Sequence, residues 1–173
     1  MKFVSKLNAD VYLGLGANLG TPQETFEKSL DISSTFAGVE QVSRLYQSAP
    51  FGFSDQPPFV NAAVRINTTL SPVQLLAKLQ DVEKRLGKKV VRENGPRIID
   101  LDLLLYASLT ITSKELILPH PGILTRDFVL CPLHDLNPDL SHPEWGTKTL
   151  KSALGGLQER FVGDQPRLWN YLS

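Results

Sequence analysis

The chain has 173 residues, 42% hydrophobic and 21% charged, with 18 basic and 18 acidic side chains. That length suits one domain, 1–173, with a real core. The neutral balance and a pI near 6.8 argue against general nucleic-acid binding. No apolar stretch approaches the ~20 residues of a membrane span. A single cysteine, Cys131, excludes an internal disulfide framework and suits a reducing compartment. Met1 to Asp10 hold no apolar signal-peptide core, so the expected location is cytoplasmic, or organellar if a targeting segment has been removed.

In chain order, Val11 to Gly16 reads as a buried strand running into a glycine turn. The spacing does not fit a dinucleotide loop, because the third glycine would fall at Leu19. Thr21, Pro22 and Glu24 start a helix as N-cap, N1 and N3. Phe26, Leu30, Ser33 and Phe36-Ala37 follow at helical spacing, and Gly38 stops it. Val39 to Ser48 reads as one strand with Val42, Arg44 and Tyr46 on a common face. Ala49 to Pro58 is a stiff loop with three prolines and two aromatics, either a lid on the core or a wall for a flat heterocycle. Phe59 to Ile66 is the next strand, and Asn61 within it must have its amide satisfied. Ser71-Pro72 caps a second helix whose apolar stripe is Leu75, Leu76, Leu79, Val82 and Leu86. Gln80 and Glu83 share another face of it, which on spacing alone is a solvated one.

The stretch from Asn94 to Tyr106 carries the strongest chemical signal. Asp100 and Asp102 stand two apart in an apolar run, so in a strand they project from one face with Cβ atoms ~7 Å apart. Either one carboxylate sits at a strand end and backbone amides satisfy the other, or a divalent cation compensates both. From Lys84 to Arg97 there are six basic residues and one acidic, Glu93, a local charge of +5 in a neutral chain. Acidic pair and basic run together suggest a metal with polyphosphate. His120 lies between two prolines, which fixes its backbone. Pro132 to Gly146 reads as surface loop, with His134, Asp135, Asp139 and His142 part of its packing and not a metal cluster. Thr149 caps a short helix from Leu150 to Leu157. The core spans about 11–157, and the tail 158–173, with Phe161, Trp169 and Tyr171, either packs back or begins a linker.

Three motifs occur in order: Phe59-Val-Asn-Ala-Ala, Asn94-Gly-Pro-Arg-Ile-Ile-Asp-Leu-Asp-Leu, and Leu118-Pro-His-Pro with Arg126-Asp-Phe after it. On these the chain resembles the hydroxymethyl-dihydropterin pyrophosphokinases of folate biosynthesis, from about Val11 to Leu154. The resemblance implies an α+β fold, a ferredoxin-like core with a mostly antiparallel sheet and helices on both faces. It implies pyrophosphate transfer from ATP to the pterin hydroxymethyl, with Asp100, Asp102 and Arg97 catalytic and the two aspartates holding two Mg²⁺ ions. ATP would meet Gln80, Glu83, Lys88, Arg92, Arg97, Leu103, His120 and Arg126. The pterin would meet Ser48, Ala49, Phe51, Gly52, Phe59, Asn61 and Phe128, and Asn18 would brace neighbouring loops. In the basic loop the chain departs from the common pattern: Lys88 replaces an arginine and Asn94 a tryptophan. The implied partners are these small molecules and other folate-pathway enzymes, fused or associated. The alternative is a non-catalytic domain of the same fold serving such an enzyme.

Overall fold

Alternating burial along two stretches creates the centre of the fold. Val11, Leu13 and Leu15 turn to one side while Tyr12 turns to the other, and the segment from Phe59 to Thr68 has apolar residues for both. In the computed structural model, which describes residues 9–89, 91–163 and 165–173, these become strands β1 (Ala9–Ala17) and β4 (Phe59–Thr68). The expectation about a signal core in Met1 to Asp10 concerns mainly residues 1–8, outside the described ones, as is Val90 in the basic loop. Among the described residues, no helix is long and apolar enough to cross a membrane.

The remaining elements are α1 (Pro22–Ser33), β2 (Gly38–Val42), β3 (Tyr46–Ser48), α2 (Pro72–Arg85), β5 (Asp100–Tyr106), β6 (Ile111–Thr112), β7 (Ile117–Leu118), α3 (Asp127–Leu136) and α4 (Leu150–Gly156). The main sheet runs β2-β4-β1-β5, with β3 also on β4, and every pairing is antiparallel. With α1 and α2 as crossovers this is the ferredoxin-like order. On one face Leu13, Leu15, Val64 and Leu101 pack against Phe26 and Leu30 of α1 and Leu75, Leu79 and Val82 of α2. On the other, Tyr12, Ala63, Leu104 and Leu105 meet Leu130 and Leu133 of α3 and Leu150 of α4. Helices therefore cover both faces.

Several local expectations differ from the structure. The strand expected over Val39–Ser48 is two, β2 and β3, because the chain breaks at Ser43-Arg44. There the Ser43 hydroxyl accepts the Ala63 amide at 2.8 Å. Helix α1 ends at Ser33, not at Ala37, and Thr21 makes no side-chain cap bond, whereas Ser71 and Gln74 form a complete capping box on α2. The loop expected from Pro132 is helical to Leu136, with Pro132 buried inside α3. Packing of Leu130 and Leu133 against the sheet offsets the hydrogen bond that a proline removes. Asp135 is engaged by the Arg44 guanidinium at 2.7 Å and the Tyr46 hydroxyl at 2.8 Å, and His142 is buried, its Nε2 3.1 Å from the Leu109 carbonyl. No group of three metal-ligating side chains occurs among the described residues.

The tail packs back. Leu45 and Arg167 exchange backbone hydrogen bonds at 2.8 and 2.9 Å beside β3. Trp169 is buried against Phe26, ring centroids 5.9 Å apart, and donates to Glu27.

Candidate active site

The sheet register builds a trough on the face that α3 covers. Directly opposed residues of antiparallel strands share a face, and Asn61 of β4 pairs with Gly16 of β1, which pairs with Asp100 of β5. One row higher, Ala63 pairs with Gly14, which pairs with Asp102. The middle strand thus contributes no side chain between Asn61 and the aspartates. A Cβ on Gly16 would lie 3.6 Å from Asn61 Oδ1, inside the trough. These glycines floor a cavity with an open mouth, a concave setting of the kind in which small molecules bind. Gly16, expected at a turn, lies within β1. Its role on the trough floor needed the cross-strand partners, which periodicity does not supply.

The acidic end is asymmetric. Asp100 is ion-paired with Lys88 Nζ at 2.6 Å and with Arg97 Nε. Lys88 also reaches Glu83 at 3.0 Å, and the Glu83 carboxylate accepts the Leu101 amide at 2.7 Å on the free edge of β5. Burial pulls the Lys88 ammonium down, but the carboxylates of Asp100 and Glu83 outweigh it and hold its pKa above the ordinary value. Burial raises that of Glu83 against the opposing pull of Leu101 and Lys88. Asp102 has no ion-pair partner among the described residues. Its side chain is solvent-exposed in the open cavity, while the surrounding protein mass, followed by the charges of Asp100 and Glu83, pushes its carboxyl up to about 7. Two carboxylates, one of them uncompensated, with room for phosphate and water, fit a hard divalent cation such as Mg²⁺.

The cations come from separate elements. Arg97 follows the Gly95-Pro96 turn, and its guanidinium donates to the Gly95 carbonyl at 2.8 Å and lies 5.0 Å from the Phe59 ring. Arg126 precedes α3 and stacks on Phe51 at 4.4 Å. His120 Nδ1 accepts the Gly122 amide at 3.0 Å, which leaves the proton on Nε2 as a donor. Burial and then Arg126 lower the His120 pKa, so the ring is neutral near pH 7. A Cβ at Gly122 would be 3.0 Å from Arg126 and 3.2 Å from His120, so any larger residue there would push on both side chains.

At the opposite end Asn61 donates to the Ser48 hydroxyl at 2.8 Å, both groups buried. Phe51, Phe59 and Phe128 form aromatic walls. Two loops border the mouth and are tied through Asn18. Its amide donates to Gln56 Oε1 and the Pro57 carbonyl, each at 2.9 Å, and its oxygen accepts the Arg97 amide at 2.9 Å. Gln56 donates onward to the Asn94 carbonyl at 2.6 Å, and Arg92 lies 3.6 Å over the Phe53 ring. Gly52, at φ 80°, is packed so closely on Asn94 that a Cβ would sit 2.8 Å from it. Gln56 is identified by its contacts alone. A lone glutamine in a proline-rich loop carries no periodic signal.

This cavity gathers Asp100, Asp102, Arg97, His120 and Arg126 with Ser48, Ala49, Phe51, Phe59, Asn61 and Phe128. An adjoining hollow between β5 and the β6–β7 hairpin is lined by Leu103, Asp102, His120 and Glu115. A third lies among Lys88, Arg92, Arg97 and Asp100. Gln80 is exposed on α2 and lines none of the three, and neither does Glu83, which braces Lys88 and β5 instead.

Residues 12–138 match the family model described as 7,8-dihydro-6-hydroxymethylpterin-pyrophosphokinase. A 2-amino-4-hydroxy-6-hydroxymethyldihydropteridine pyrophosphokinase from Aquifex aeolicus is 40% identical over 135 residues, covering 78% of this chain and 84% of that protein. The folic acid synthesis protein fol1 of Pneumocystis carinii is 45% identical over 140 residues, 80% of this chain but 19% of that protein. The chain therefore spans about a fifth of such a long relative. The HPPK-DHPS crystal structure from Plasmodium falciparum superposes with a TM-score of 0.70 at 14% identity, over 86% of this chain and 44% of that one, which speaks to fold. The match over residues 12–138 and the 40% identity across most of the Aquifex protein make this chain a member of the 7,8-dihydro-6-hydroxymethylpterin-pyrophosphokinase family.

Proposed function

We propose that the chain transfers pyrophosphate from ATP to the hydroxymethyl oxygen of 6-hydroxymethyl-7,8-dihydropterin, releasing AMP, as a step of folate biosynthesis. The observation that carries this is the cross-sheet row Asn61–Gly16–Asp100. It sets a group suited to a heterocycle edge and a group suited to a metal-bound phosphate at the two ends of one glycine-floored trough. The Pneumocystis relative is about five times the length of the matched stretch and the superposable Plasmodium structure is an HPPK-DHPS, so other folate enzymes are the proposed partners. The compartment would be the cytoplasm or an organelle.

In this reading Phe59 and Phe128 stack on the pterin, and Asn61, held by Ser48, bonds its polar edge. Arg97, Lys88, Arg92 and Arg126 neutralise the triphosphate, while His120 donates from Nε2 to a phosphate oxygen. Asp100 and Asp102 would hold two Mg²⁺ ions, which when bound supply charge neutralisation and acidify the attacking hydroxyl. For Asp100 this requires Lys88 and Arg97 to turn from its carboxylate toward phosphate. The main contributions of the protein are alignment and electrostatics prepared in advance. Glu83 acts on ATP indirectly, by holding Lys88.

Calorimetric titration of Phe59→Ala and Asn61→Ala with each ligand tests the assignment of the two ends. Both variants should lose pterin affinity while an Mg-bound ATP analogue binds as before. Loss of nucleotide affinity with pterin affinity kept would reverse the polarity of the site.

A further inference from the structure

The family match ends at residue 138, before the tail begins. The rings behind the aromatic wall point elsewhere. Phe161 packs edge-on against both Phe51, centroids 5.6 Å apart, and Phe128, 5.7 Å apart at 87°. Phe51 and Phe128 are themselves 6.1 Å apart. The latter two face the cavity, whereas Phe161 does not line it. It stands behind them as the third member of a triangle.

The backbone around Phe161 is held with equal care. Asp127, 1% exposed at the start of α3, accepts through Oδ2 the amides of Phe161 at 2.7 Å and Val162 at 2.9 Å. Its neighbours Arg126 and Phe128 both line the cavity. From the other direction the Phe161 carbonyl accepts the Ala49 amide at 2.9 Å, at the root of the loop carrying Phe51. A buried carboxylate holding two adjacent amides is a costly device unless the turn it fixes must be exact.

We infer that the C-terminal segment is a working part of the pterin side of the site, with Phe161 the positioning residue that sets the spacing and tilt of Phe51 and Phe128. The inference rests on the pterin reading of this cavity. Stacking on a planar ring depends on wall geometry within tenths of an ångström. Loss of the support should therefore weaken the pterin and spare the nucleotide.

The test titrates the unsubstituted protein, Phe161→Ala, Phe161→Leu and Tyr171→Phe with hydroxymethyl-dihydropterin and, separately, with an Mg-bound non-hydrolysable ATP analogue, and measures steady-state KM and kcat. Tyr171→Phe removes only the bond to Asp31 at the far end of the tail. Phe161→Ala should raise the pterin Kd and KM about tenfold, leave the analogue Kd within twofold, and change kcat little. Phe161→Leu should recover most of the loss, and Tyr171→Phe should match the unsubstituted protein. Should Phe161→Ala fail to fold, the Leu variant carries the comparison, with a smaller but still pterin-selective rise. Unchanged pterin affinity, or equal loss of both ligands, overturns the inference while the functional reading stands. No pterin binding by the unsubstituted protein overturns the functional reading and the inference with it.

Discussion

Replacing Asp102 by Asn removes a cavity carboxylate that has no ion-pair partner among the described residues. In the folded chain that group is raised from 3.8 to about 7, so ionised Asp102 disfavours folding. Below pH ~3 it is protonated in folded and unfolded chains alike and contributes nothing. Between pH ~4 and 7 the unfolded chain ionises while the folded one resists, so wild-type stability falls relative to Asn; above pH 7 the gap is constant. Because Asp102 is open to cavity water, screening reduces the nominal penalty to about 1–2 kcal/mol. For a chain of this size that raises the melting temperature of Asp102→Asn by about 2–8 °C at pH 8, with almost no difference at pH ~3. Adding Mg²⁺ at pH 8 should stabilise the wild type and leave the variant unmoved, and the variant should not turn over. Thermal melts at the two pH values, with and without Mg²⁺, provide the assay. An Asn variant no more stable than wild type at pH 8, or an equal Mg²⁺ shift in both, would refute the reasoning.

Gly16→Val should fold, since a strand accepts valine, yet it should block pterin binding by at least tenfold in calorimetry, because its methyls enter the trough beside Asn61. Unaltered affinity would mean the trough floor is not where the ring lies. Asn18→Ala removes three side-chain hydrogen bonds joining the two loops. It should cost about 2–4 kcal/mol in denaturant unfolding, and a loss under 1 kcal/mol would show the brace to be dispensable. The loops Ala49–Pro58 and Lys88–Asn94 should exchange amide hydrogens more slowly with pterin and Mg-bound ATP analogue present; equal rates in both states would contradict closure. Trp169→Ala should destabilise by about 3–5 kcal/mol, and a neutral result would show that the tail is not part of the core.

Much of the site was legible because charge in an apolar run is conspicuous. Asp100 and Asp102, the basic stretch before them and the fixed His120 stood out without any structure. Asn18 was expected to brace loops only through the family resemblance, and the structure gives it partners in both. The misses share a cause. Gly14 and Gly16 matter through what lies opposite them, and Phe161 through what lies in front of it, neither of which is a property of local sequence. Pro132 in α3 and the break at Ser43-Arg44 are places where tertiary packing overrode local preference. Glu83 was expected on ATP and turns toward Lys88 and Leu101 because β5 is an edge strand with an amide to satisfy.

The identity of the nucleotide product tests the central claim most directly. Kinases that transfer a γ-phosphoryl group release ADP, whereas attack at the β-phosphorus releases AMP. Chromatography of a reaction containing this chain, ATP, Mg²⁺ and hydroxymethyl-dihydropterin should show AMP rising one-for-one with the pterin pyrophosphate. ADP as the main product would contradict pyrophosphate transfer even if every binding residue behaved as described.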